Sequence, residues 1–198
     1  RDAMPPATLP QCLVDQDRRR PDAPAIREKD RGIWQEWTWK AYLDHVRWIA
    51  LGLVHLGFER GDKLAVISDN RPAVYWAMVA AQAAGGAAVG VYQDAIAKEV
   101  QYVIDHSDAK FVLAEDQEQV DKLLEIRDRC PTLEHIIYDD PRGMRHYDQD
   151  FLRSYEELKL RGQSRHDAQR DAFRGWVAET RPGDVAVMAY TSGTTGKP

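Results

Sequence analysis

The chain ends in Thr191-Ser192-Gly193-Thr194-Thr195-Gly196-Lys197-Pro198, a run rich in the residue types that polyphosphate chemistry uses. Gly193 and Gly196 let a backbone approach oxygen atoms closely and adopt positive φ. Consecutive amides in such a turn point inward and form an anion nest. Thr191, Ser192, Thr194 and Thr195 add short hydroxyl donors. Lys197 adds a mobile positive charge. The strict Walker A loop does not fit. It needs four residues between its first glycine and its Gly-Lys pair, then Ser or Thr. Here two residues separate Gly193 from Gly196, and Pro198, which has no amide to offer, follows the lysine. On composition alone, an ordinary surface loop with no ligand remains the competing reading.

Something rigid must present that loop. Val185 to Tyr190 reads as a strand running straight into it. Upstream, short apolar runs alternate with segments of helical period. Leu64–Ile67, Ala87–Tyr92, Phe111–Leu113 and His135–Tyr138 read as strands; the first is continuous and β-branched, as a buried parallel strand is. Between them, Ala73–Ala84, Ala95–His106 and Asp116–Arg129 read as helices, with Ile96, Val100, Val103 and Ile104 turned inward in the second. Strand-helix alternation with short connections predicts an α/β fold, a mostly parallel sheet flanked by helices.

The first quarter differs. Thr8–Arg19 reads as a short helix stopped by Pro21. Ala25–Glu28 and Trp34–Thr38 flank Asp30-Arg31-Gly32, which predicts a β-hairpin. Thr38 then caps a helix whose Tyr42, Val46, Ile49, Leu53 and Leu56 share one face. Residues 1–61 are therefore an N-terminal helix, hairpin and helix packing on the domain. Residues 62–198 are an α/β sheet subdomain ending in the loop, the two forming one incomplete domain. Farther on, Asp139–Tyr147 reads as a polar loop. Ser154 with Glu157 has capping-box spacing, and Arg165–Glu179 reads as a helix.

Bulk properties narrow the function. The 198 residues are 43% hydrophobic and 30% charged, as expected of a globular chain that buries a core. A net charge of −5 gives no electrostatic case for a nucleic-acid partner. No run is long and apolar enough for a transmembrane segment, which leaves peripheral membrane contact and oligomeric state open. Cys12 and Cys130 lack metal-type spacing and are read as reduced thiols of a cytoplasmic protein. His146, Asp148 and Asp150 alternate but lie in a loop-like segment, and no His-Glu-x-x-His spacing occurs, so no metal site is assigned there. Trp34, Trp37 and Trp39 read as packing for the hairpin.

Tyr190-Thr-Ser-Gly-Thr-Thr-Gly-Lys-Pro198 resembles the phosphate-loop signature of the adenylate-forming (AMP-binding) superfamily. The family pattern continues with Lys-Gly beyond Pro198. The resemblance spans nearly the whole chain. Gly61–Pro72 is similar to the family's first α/β unit, Ala84–Tyr92 to its second, and Glu99–Lys110 to the helix that follows. Tyr92-Gln-Asp94 and Asp139-Asp-Pro-Arg-Gly143 look most like bacterial long-chain fatty acyl-CoA synthetases. The resemblance implies a two-step ligase using ATP, Mg²⁺ and CoA. A carboxylate attacks the α-phosphate of ATP to give acyl-AMP and pyrophosphate, and the CoA thiol then displaces AMP. It implies that Thr191 contacts Mg²⁺ and phosphate, that Lys197 is a mobile phosphate contact, and that residues 191–197 hold the β- and γ-phosphates. It leaves catalytic residues of this stretch unassigned. It also implies that the adenine, acyl and later acidic contacts lie beyond Pro198, so residues 1–198 alone should be inactive. The alternatives are adenylation of another carboxylic or amino acid for a carrier protein, or a non-catalytic α/β binding module.

Overall fold

The computed structural model describes residues 7–191. Helix α1 (Leu9–Arg19) leads into a hairpin of β1 (Pro24–Asp30) and β2 (Ile33–Thr38), then α2 (Trp39–His55). The α/β part follows as β3 (Lys63–Ile67), α3 (Pro72–Ala83), β4 (Ala87–Val91), α4 (Ala97–Ser107), β5 (Phe111–Ala114), α5 (Gln117–Ile126) and β6 (His135–Tyr138). It closes with β7 (Leu152–Ser154), α6 (Tyr155–Gln163), α7 (His166–Glu179) and β8 (Val187–Ala189). Among the described residues the main sheet has six strands in the order β7-β6-β5-β3-β4-β8, every neighbouring pair parallel.

Alternation along β3 divides the core. Leu64 and Val66 point to one face of the sheet, where α2, α3, α6 and α7 supply Val46, Ile49, Leu53, Ala80, Leu158 and Phe173. Ala65 and Ile67 point to the other, where α4 and α5 supply Val100, Ile104, Val120 and Leu123. A parallel sheet covered by helices on both faces needs strands apolar on both sides, which explains the unbroken run Leu64–Ile67.

Helices α2 and α6 approach closely because each offers a glycine. A Cβ at Gly52 would meet the Leu158 carbonyl at 2.5 Å, and one at Gly162 would run into the Trp48 carbonyl. Only a residue without a side chain fits either place.

Thr38 and Ser154 cap their helices as expected, and Thr8, read as the first helical residue, is a cap as well. Thr8, Thr38 and Ser154 accept from the amides of Gln11, Ala41 and Glu157 at the starts of α1, α2 and α6. The hairpin turn is tighter than expected: Arg31 and Gly32 alone link the strands, at φ 46° and 84°. Positive φ at both positions is the type I′ pattern that matches strand twist.

Three expectations need correction, and one strand was not foreseen. Ile96 does not face inward; it precedes α4 as its cap residue and is 61% exposed. The Ser154–Glu157 box is half made, because Glu157 bonds Arg153 and Arg161 instead of reaching back. Trp37 packs edge-on against Trp76, but Trp34 faces away from the domain and is 66% exposed. β7 lies just before α6 in a stretch to which the sequence reading assigns no strand, pairing Ile136 with Leu152 and Tyr138 with Ser154.

Candidate functional site

The carboxyl ends of the parallel strands open onto one edge of the sheet. The chain leaves β3 for α3 on one face, and leaves its neighbours β4 and β5 for α4 and α5 on the other. Loops that part in this way create the crevice where open α/β sheets bind ligands.

The end of β8 reaches this edge. β8 pairs with β4 in the register Ala88–Val187, Val89–Met188 and Gly90–Ala189. Tyr190 follows, with its phenolic oxygen 2.8 Å from Nδ1 of His106 at the end of α4. Its ring meets His106 and Tyr102 edge-on, at centroid distances of 5.6 and 6.4 Å. Burial pushes the Tyr190 phenol up, so it stays protonated near neutrality. Thr191 comes next and is exposed. Of the phosphate-loop residues expected from sequence, Thr191 is therefore placed at the carboxyl end of a sheet strand. Ser192, Gly193, Thr194, Thr195, Gly196 and Lys197 lie outside the described residues.

A second constellation lies on the same edge. Glu115, just after β5, accepts from Arg71 Nε at 2.7 Å with one oxygen and from the Asp69 amide at 2.8 Å with the other. Arg71 Nη1 lies 3.5 Å from Glu28 of the hairpin. Burial alone would raise the pKa of Glu115, but the Asp69 amide and Arg71 outweigh it and leave the group below its ordinary range. Asp139, just after β6, behaves oppositely. Burial pushes it up to about 6; Arg71 opposes this, while Glu115 and Asp140 add to it.

A cleft of about 580 Å³ lies among these groups, lined by Glu28, Arg31, Arg71, Glu115, Asp139 and Arg142. Both oxygens of Glu115 are engaged by the protein, and Asp140 is paired with Arg142. The constellation thus braces the hairpin against the loops after β3, β5 and β6. Sequence reading missed this brace, because its members lie far apart in the chain and nothing local marks them as partners. Among the described residues no group of His, Cys, Asp and Glu side chains is arranged to hold a metal ion. Nor, among them, is any helix long and apolar enough to cross a membrane.

Comparison with known proteins follows the same lines. The family of AMP-binding enzymes matches residues 13–198. The long-chain-fatty-acid–CoA ligase ACSBG2 of Xenopus laevis is 30% identical over 197 residues, 99% of this chain and 26% of the relative. The 4-hydroxybutyrate–CoA ligase 2 of Metallosphaera sedula is 33% identical over 178 residues, 87% of this chain and 31% of the relative. The chain thus spans about a quarter to a third of the length of these relatives. Among solved structures, VinN superposes with a TM-score of 0.71 at 24% identity, over 100% of this chain and 43% of its own. The anthranilate CoA ligase AuaEII, in complex with anthranoyl-AMP, gives 0.71 at 18%, over 98% of this chain and 34% of its own. These structural likenesses establish the fold. The match of the family over nearly the whole chain establishes the kinship: this chain belongs to the AMP-binding enzymes, the adenylate-forming superfamily, and corresponds to the N-terminal part of its acyl-CoA ligases.

Proposed function

We propose that this chain forms the N-terminal part of an ATP-dependent acid–thiol ligase that activates a long-chain fatty acid as acyl-AMP and passes it to CoA in the cytoplasm. The observation that carries the reading is the placement of Thr191 on the carboxyl edge of a parallel sheet, at the head of Ser192-Gly193-Thr194-Thr195-Gly196-Lys197. An exposed hydroxyl there suits a polyphosphate, and its hard oxygen suits Mg²⁺. Thr191 would hold the ion, which supplies charge neutralisation for the departing pyrophosphate. Residues 191–197 bind and orient the β- and γ-phosphates, with amides and hydroxyls donating and Lys197 supplying positive charge. His106 and the rings around it fix Tyr190, and so fix where the loop begins.

The relatives' fatty-acid names support the acid, and their greater length supports a whole reaction that needs segments other than these 198 residues. We infer accordingly that residues 1–198 alone make no acyl-AMP. The domain reading of residues 1–61 and 62–198 stands as part of this proposal. A second reading keeps the adenylation and changes the acid to an amino acid. It is favoured by VinN, which was solved with L-aspartate. The test is acid-dependent ATP–pyrophosphate exchange by a full-length protein carrying this chain, over a panel of fatty, short hydroxy and amino acids. Exchange with long-chain fatty acids supports the first reading; exchange confined to amino acids supports the second. No exchange with any acid by folded protein removes both.

A further inference from the structure

A cleft of about 880 Å³ lies between α2 and α7, away from the strand ends and unused by the reading above. His166 is on its wall. Trp48 Nε1, which can only donate, lies 3.2 Å from His166 Nδ1. Arg170 Nη2 and Arg47 Nη1, also only donors, lie 3.0 and 3.5 Å from His166 Nε2. A neutral imidazole has one lone pair to offer and one N–H of its own, so whichever tautomer it adopts, one ring nitrogen directs a proton at another donor. The surplus continues around it. Arg47 is held over the Phe173 ring, its side chain is 12% exposed, and its Nε is buried without a hydrogen-bond partner among the described residues. Lys40 and Arg174 line the same cleft.

Acceptors are present but fewer where they are needed. Asp44 takes Arg47 Nη1 at 3.1 Å. Asp17, Asp22 and Asp167 also line the wall, so the cleft carries no large net charge. Donors gather around His166 Nε2, toward which Arg47 and Arg170 each direct an N–H. A phosphate carries its acceptor oxygens on a tetrahedron, so a single ion can take charge-assisted bonds from donors that approach from different sides.

We propose that this cleft binds a phosphate group, free or carried on a small molecule, held by Arg47, Arg170 and His166. Burial, with Arg47 and Arg170 alongside, depresses the His166 pKa, while Asp44 and Asp167 oppose the shift. A bound phosphate would reverse the sense of that field and raise it.

The test is an NMR titration of full-length protein carrying this chain with inorganic phosphate at constant ionic strength, following the Trp48 indole N–H and the His166 ring. The proposal expects both signals to shift saturably and the His166 pKa to rise on binding. Arg170→Gln changes an exposed residue, so the helix should stand, and loss of one charge-assisted bond should weaken binding by about tenfold. Three results would each overturn the proposal. One is no saturable shift, which would mean that the wall carboxylates satisfy the donors in solution. Another is equal affinity in Arg170→Gln. The third is an equal response to acetate, which would deny a phosphate-selective site.

Discussion

The phenolic oxygen of Tyr190 sits 2.8 Å from His106 Nδ1, one residue before the exposed Thr191. Among the described residues β8 has one strand neighbour, β4, and pairs with it over three residues. A short edge strand gains little from so brief a ladder, so this side-chain bond and the Tyr102 and His106 rings carry much of the fixing of its end. Tyr190→Phe keeps the rings and removes the bond. It should cost about 1 kcal/mol of stability, read by urea unfolding, with faster amide exchange confined to residues 187–191.

The helix approach at Gly162 predicts a larger loss. Gly162→Ala places a Cβ on the Trp48 carbonyl, a backbone atom that cannot swing aside. Helix α6 would have to back away from α2 and take Leu158 out of the core. The expected cost is on the order of 3 kcal/mol or more, visible as a drop in Tm. Gly175→Ala is the control, since its Cβ would meet nothing within 4 Å. In a helix interior that change should be neutral or stabilising.

Asp139 gives the chain a pH signature of unusual sign. Its folded pKa of about 6 lies above the 3.8 of an ordinary aspartate. The folded state therefore binds the extra proton between those values, and stability falls as pH rises through that window. His45 opposes it. Burial lowers His45 from 6.5 to about 4, so its contribution to stability is lost as pH falls from 6.5 toward 4. Asp139→Asn removes the first slope and leaves the second. Relative to the parent, the variant should gain stability between pH 4 and pH 6 and keep an advantage at pH 7. With Asp139 partly exposed and Arg71 beside it, that advantage is on the order of 1–2 kcal/mol, measured by denaturation across pH.

Much of this fold was legible in short windows. The continuous run Leu64–Ile67 marked a buried parallel strand, and the spacing of Val46, Ile49 and Leu53 marked the buried face of α2. Thr38 and Ser154 announced helix starts, because a cap acts within three residues of itself. Features set by tertiary partners were not legible. β7 is three residues long and exists only because β6 is beside it. Ile96 has helical spacing with Val100 and Val103, yet it sits just before α4 starts, where the chain still points outward. The pairing of Arg71 with Glu115 joins loops 44 residues apart. His106 gave no signal as a partner of Tyr190, since nothing in an isolated helix end says which strand will pass it.

The most direct test of the central claim is ATP–pyrophosphate exchange by full-length protein carrying this chain, with Thr191→Ala and Lys197→Ala compared with the parent. The parent should show exchange that depends on a long-chain fatty acid. Each variant should lose about a hundredfold, the scale expected when a charge-stabilising contact is removed from the transition state, with folding and acid binding intact. Exchange that survives both substitutions unchanged would contradict it, because residues 191–197 would then not be the phosphate-binding loop.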